Sequence, residues 1–203
     1  LHSFPTRRSS DLRFGRGLIE SGGVNYDIDD VMTDKIINML DKVEKTVIRT
    51  SEIMLRTPSC ISRMEKTGTV SKETALLLGA VGMAARSSGV DMDSRFDFKN
   101  KWYLKIKRDS YDFKPSGDVY SRFVLRYKEI RNSIYYIKCL LAELKNYQSE
   151  KLKIEISNKI EANSIVVSVV EGWRGEIVHI AITDKNSKLQ RYKIKDPRSE
   201  EHT

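Results

Sequence analysis

Cysteine, histidine and long apolar runs are what this sequence has least of. Its two cysteines, Cys60 and Cys139, stand far apart, each inside a helical pattern. They form neither a disulfide framework nor a CxxC metal motif, and buried free thiols are expected. Of the three histidines, only His179 lies outside the two ends. One histidine and no paired cysteine cannot assemble a zinc, iron–sulfur or nickel site within this stretch. No run of about eighteen apolar residues occurs, so no segment here is expected to span a bilayer.

Charge, by contrast, is plentiful and biased, with a formal net value of +8 over 203 residues. Lysine and arginine alternate with aspartate and glutamate throughout, and no basic run is interleaved with aromatics as a nucleic-acid stacking platform requires. Nucleic acid is therefore not an expected partner. A docking surface or a nearby anionic membrane face fits the bias better. The two ends need separate treatment. Leu1 to Leu12, LHSFPTRRSSDL, and Arg198 to Thr203, RSEEHT, have no hydrophobic period. Both resemble the conceptual translation of short-read sequencing adapters, the alternatives being a transit peptide and a polar tail. They are set aside from fold reasoning, which leaves Arg13–Pro197 as the expected domain. Their charges cancel, so the bias stays in that domain.

Within it, Gly15, Gly17, Gly22 and Gly23 mark tight backbone, but their spacing does not make a dinucleotide fingerprint. From Asp29 to Leu55, Val31, Ile36, Ile37, Leu40, Val43, Val47 and Met54 recur at helical steps. Asp29 and Asp30 suit the positive end of that helix, and Thr57-Pro58 stops it. Two short helices are predicted at Ser59–Lys66 and Ser71–Leu78, with Ser71 as an N-cap. GAVGMAARSSGVDMDSR, Gly79 to Arg95, reads as a tight loop that lacks the GK[ST] ending of a phosphate loop. Asp97–Ser116 reads as irregular. A second long helix is predicted from Gly117 to Asn146, with Phe123, Tyr127, Ile130, Ile134, Ile137, Leu141 and Leu144 along one face.

After Asn146 the pattern changes to alternation rich in Ile and Val: KLKIEIS, NSIVVSVVEG, EIVHIAITD and KLQRYKIKD. Asp184 to Ser187 supplies a hairpin turn. The expected fold is α+β, a helical body with two long antiparallel helices and a small antiparallel sheet near the C-terminus.

Four blocks, in order, resemble one family. They are Gly22-Gly23-Val24 with Asp27-Ile28; the loop GAVGMAARSSGVDMDSR; Gly117-Asp118-Val119-Tyr120-Ser121-Arg122 with Leu125-Arg126; and Glu171-Gly172-Trp173-Arg174-Gly175-Glu176 leading to YKIKDP. Together they resemble the large subunits shared by energy-converting [NiFe]-hydrogenases of the formate-hydrogenlyase type and the D subunit of NADH–quinone oxidoreductase. The resemblance implies part of an oxidoreductase subunit, paired with an iron–sulfur small subunit and with membrane subunits that move ions, on the cytoplasmic face of the membrane. It implies a nickel–iron centre or a quinone for the intact protein, with no cofactor held by this stretch alone and no turnover from it alone. A non-redox helical adaptor is the alternative from another class.

The resemblance also implies site residues. Arg174 stands where the hydrogenase branch has an arginine leaning over the metal, and a permanently charged guanidinium can stabilise developing negative charge. An ion pair to Glu171 or Glu176 is its structural alternative. Asp91, Asp93 and Arg95 stand in a loop expected near the cavity, together with Glu171 and Glu176. Asp118 opens the long helix, as a cavity residue or simply an N-cap. Arg86 faces either a partner's cluster or solvent, and His179 suits a structural strand position. One departure stands out. Quinone-branch relatives carry H-x-x-Y-x-R-P-G-G-V before the first long helix, whereas this sequence has Gly15, Glu20 and Ser21 at the histidine, arginine and proline.

Overall fold

The computed structural model describes residues 18–98, 103, 114–144, 152–156 and 160–197. Both ends set aside above, Gly15, Gly17 and most of 97–116 lie outside the described residues.

A short hairpin comes first, β1 (Ile19–Glu20) and β2 (Gly23–Val24). The helical body follows: α1 (Asp30–Arg56), α2 (Pro58–Met64), α3 (Lys72–Leu77), α4 (Gly82–Ser87), α5 (Ser94–Asp97) and α6 (Val119–Leu144). β3 (Ile165–Gly172), β4 (Gly175–Thr183) and β5 (Leu189–Lys195) then form one antiparallel sheet in the order β3-β4-β5. The α+β architecture expected from the sequence is the one observed.

Helix boundaries follow from local chemistry. The Asp29 carboxylate accepts the Met32 N–H at 2.7 Å, satisfying an orphan donor at the start of α1. Thr57 is extended before Pro58, which then serves as the first residue of α2. Ser71 Oγ accepts the Thr74 N–H at 3.1 Å and starts α3. Asp118 Oδ1 takes the Ser121 N–H at 2.8 Å, the N-cap geometry for α6. Ahead of it, Gly117 has φ +75°, and a side chain there would run into the Val70 carbonyl. Its N–H and C=O bond Ser87 and Val70, which ties the start of α6 to α3 and α4.

The stretch Gly79–Arg95, expected as a loop, instead contains α4 and α5. Its glycines sit at the ends of α4 rather than inside it, so the run Met83–Ser87 is free to wind. α1 and α6 run antiparallel. Lys138 reaches Asp41 at 2.7 Å and Glu44 at 3.2 Å, and Arg131 reaches Glu44. These exposed pairs set register more than stability. The buried core lies around α3, α4 and the first half of α6, with Ala75, Ala85, Val90, Val124 and Leu125.

Two details differ from the periodicity reading. On α6 the buried residues are Ser121, Val124, Leu125, Ile134, Tyr136 and Leu141, while Ile137 and Leu144 are exposed. α4 packs beside the first half of this helix, and the buried stripe rotates with it. KLKIEIS does not join the main sheet. Leu152 C=O accepts the Val24 N–H at 3.1 Å and Ile154 N–H donates to Gly22 C=O at 3.0 Å, so this strand pairs with the N-terminal hairpin. Alternation identifies a strand without identifying its neighbour. Cys60 and Cys139 are free thiols, but half-buried rather than buried.

Candidate functional site

Two short helices, the long helix α6 and one strand converge on a single guanidinium. Arg86, on α4, is 6% exposed. Its Nε donates to Glu129 Oε1 of α6 at 2.9 Å, and Nη2 lies 2.7 Å from the same oxygen. Its Nη1 donates to the Met92 carbonyl at 2.9 Å and to Glu171 Oε1 of β3 at 3.0 Å. The second Glu171 oxygen accepts both the Ser94 N–H at 3.1 Å and its hydroxyl at 2.9 Å, at the start of α5. Asp93 completes the group. It caps α5 and takes Arg95 through both oxygens, at 2.9 and 2.6 Å. Arg86 is therefore not turned to solvent, one of the two surroundings its sequence position had left open. It is enclosed by carboxylates, the condition under which burying a charge is tolerated.

The electrostatics agree with the geometry. Burial pulls the Arg86 guanidinium down, but Glu129, Glu171 and Asp93 outweigh it and hold the pKa above its ordinary value. Burial likewise pushes the Asp93 carboxyl up, and Arg95 followed by Arg86 brings it below the usual carboxylate range.

Glu171 leads directly into the turn. Gly172 pairs with Gly175, and Trp173 and Arg174 form the two-residue link between β3 and β4. Gly82 (φ +59°) and Gly175 (φ +139°) meet backbone to backbone, and a methyl on either would overlap the other's chain. Glycine is required at both places by the close approach and the positive φ together. The Trp173 ring stacks under the Arg126 guanidinium of α6, 5.2 Å from atom to centroid. Arg174 is exposed and forms no ion pair among the described residues, so the expected pairing with Glu171 or Glu176 is not formed. Glu171 serves Arg86 instead. Beneath the turn lies a cleft of about 390 Å³, lined by Val43, Ile130, Ile134, Ile137 and Trp173, with Arg95, Arg126, Glu129 and Glu171 on its polar side.

The other candidates lie apart. Asp118 is buried at the α6 cap and also accepts the Lys66 N–H at 2.9 Å. Burial pushes its carboxyl up, and the N–H groups of Ser121 and Lys66 outweigh that and lower it. Asp91 is exposed at the loop surface, and Glu176 is half-buried opposite Glu171 in the sheet register. His179 shares a hydrogen bond with the Tyr192 hydroxyl across β4 and β5. Among the described residues, no group of three or more His, Cys, Asp or Glu side chains could hold a metal ion. The donor set does not fit a nickel–iron centre. No described helix is long and apolar enough to cross a membrane.

Glu129, Ser94 and Arg126 do not stand out in the sequence as site residues. Each is an ordinary polar residue in its local pattern, and only the fold brings it within reach of Arg86, Glu171 or Trp173.

A family model described as the respiratory-chain NADH dehydrogenase, 49 kDa subunit, matches residues 6–201. An NADH-quinone oxidoreductase D subunit of Koribacter versatilis is 26% identical over 199 residues, a match covering 87% of this chain and 49% of the relative. The carbon monoxide-induced hydrogenase of Rhodospirillum rubrum is 30% identical over 182 residues, covering 87% and 48%. Among solved structures, a chain of the membrane-bound sulfane sulfur reductase, an archaeal respiratory membrane complex, superposes with a TM-score of 0.76 at 22% identity. That match covers 87% of this chain and 48% of the other, and shows the fold. The chain spans about half the length of the curated relatives it matches.

Proposed function

Because the chain belongs to the family of the 49 kDa subunit of respiratory-chain NADH dehydrogenase, we propose that it forms part of the large subunit of a membrane-associated redox complex. In this reading, electrons pass between an iron–sulfur small subunit and either quinone or protons and hydrogen. Membrane subunits use the released free energy to move ions. The large subunit sits peripherally on the cytoplasmic face. The iron–sulfur cluster of the small subunit exchanges electrons with the substrate, giving them to quinone or protons and taking them from hydrogen.

The residue proposed to act on the substrate is Arg174. One observation carries this: it is an exposed cation without an ion pair among the described residues, carried at a turn whose two flanks are both fixed. A guanidinium stays charged at every working pH, so it can stabilise negative charge without exchanging a proton. The backbone that carries it is held at both flanks, which limits the reorganisation needed when that charge develops. Metal chemistry is not assigned to any described residue, because their donor set does not suit a metal. The chain on its own is expected to show neither hydrogen uptake nor quinone reduction.

The test is Arg174→Ala in the assembled complex, followed by turnover with hydrogen and with a short-chain quinone. Loss of a fixed charge aimed at the reacting centre is expected to lower kcat by roughly 100- to 1000-fold, with the subunits still assembled. An assembled complex with unchanged turnover would overturn the assignment of Arg174 to the reaction.

A further inference from the structure

We infer that Arg86 is a positioning residue that fixes the β3–β4 turn, and through it Arg174, from a distance. This rests on the reading of Arg174 above and goes one step behind it. α4 grips the turn at two points one helical turn apart. Gly82 at its start lies against the backbone of Gly175, on the β4 side. Arg86 near its end holds the Glu171 carboxylate, on the β3 side, at 3.0 Å. The same guanidinium is anchored to α6 through Glu129 and to the loop before α5 through the Met92 carbonyl. Both strands are thus fixed to the helical body within a few residues of Arg174, and Trp173 on Arg126 adds a third contact from α6.

The chemistry needs arginine. Four contacts from three nitrogens leave the guanidinium plane in different directions, to Glu129, Met92 and Glu171. A lysine ammonium is one point with three donors and cannot span the same set. Lysine at this position keeps the charge and loses the span, so Arg86→Lys separates positioning from mere charge neutralisation.

The experiment uses the assembled complex in four forms: unchanged, Arg86→Lys, Arg174→Ala and the double variant. Arg86→Lys is expected to reduce kcat roughly 10- to 100-fold, as small misplacements of a reacting group do, with KM little changed. In the Arg174→Ala background the same substitution is expected to cost nothing further, because the group it positions is already gone. A purely structural role would lower activity equally in both backgrounds, and that result overturns the inference.

A second readout does not depend on Arg174 chemistry. Amide hydrogen exchange at Gly172–Gly175 is expected to accelerate about ten-fold in Arg86→Lys, while the β4–β5 ladder is unchanged. Unaltered exchange at the turn overturns the inference even where turnover falls. If Arg174→Ala leaves turnover intact but exchange at the turn still rises in Arg86→Lys, the assignment of Arg174 fails and the fixing of the turn by Arg86 stands.

Discussion

The Arg86 guanidinium and the Glu171 carboxylate lie 3.0 Å apart with only 5% of either side chain exposed. They join the α4 helix to the β3 strand in a largely dehydrated setting. Removing one member of such a pair strands the other, which is far costlier than a surface ion pair. Glu171→Ala is expected to destabilise the chain by roughly 3–5 kcal/mol, read as the shift in urea midpoint. A change below about 1 kcal/mol would mean the pair is solvated in solution.

Ser94 offers a milder probe of the same network. Its hydroxyl donates to Glu171 Oε2 at 2.9 Å, and its N–H reaches the same oxygen. Ser94→Ala removes the first bond and keeps the second. The expected loss is about 1.5–3 kcal/mol, the range for hydrogen bonds to charged groups, and a double-mutant cycle with Glu171→Ala should show strong coupling.

The contact between Gly82 and Gly175 predicts a steric effect. Gly82→Ala combines a positive φ, costing about 1–2 kcal/mol, with overlap against a neighbouring backbone that cannot rotate away. The expected total is roughly 2–4 kcal/mol, and thermal unfolding of the variant measures it. Gly79→Ala is the control, because its φ of +63° is similar while nothing lies within reach of an added methyl.

Acid stability follows from Asp93 and Asp118. Both carboxyls are held below their usual range, Asp93 by Arg95 and Arg86 against the opposing effect of burial, Asp118 by the Ser121 and Lys66 N–H groups against the same opposition. A depressed folded-state pKa stabilises the fold above the ordinary aspartate value of about 3.9, and that contribution is lost as pH falls through the folded values. Unfolding free energy should therefore drop on acidification below about pH 4. Asp93→Asn should flatten that limb while lowering stability at neutral pH. An acid limb of unchanged slope would remove Asp93 from the account.

Ser187 is expected to move stability the other way. It sits at φ +60° in the β4–β5 turn, where Asp184 accepts the N–H groups of Asn186 and Lys188, both at 2.8 Å. Ser187→Gly relieves a left-handed conformation that costs an L-residue about 1–2 kcal/mol. Part of the gain is offset by the extra freedom of glycine in the unfolded chain. A rise in Tm of a few degrees is expected (about 1 kcal/mol).

Much of this architecture was legible in the sequence because its signals are local. The step of three and four residues marks α1 and α6, Asp29 and Ser71 announce their helices, and Asp184 announces its turn. The site was only partly legible. Arg174 and Glu171 were visible through a motif, but the role of Glu171 was not, since its partner Arg86 is 85 residues away. No periodic pattern encodes which charge neutralises which. The same reason explains Arg86, whose place after two alanines left a partner's cluster and solvent both open and which is enclosed by carboxylates. The pairing of β4 with β5 was legible from the turn at Asp184, but the partner of the strand near Leu152 was not. Leu152–Ile154 alternates as β3 does, and only the tertiary structure assigns it to the N-terminal hairpin.

The span of the Arg86 network also sets an order of events during synthesis. Arg86 leaves the ribosome 43 residues ahead of Glu129 and 85 ahead of Glu171. Until both have emerged, burying α4 encloses a cation with an incomplete carboxylate shell, Asp93 and at most Glu129, which is less favourable than the full set. The helical body is therefore expected to complete its closure only when the sheet arrives. Its last closure and the seating of the β3–β4 turn become one long-range step, slow because the loop between the partners is long. A nascent chain halted before Glu171 should keep α4 open to protease, and a chain carried past Gly175 should protect it.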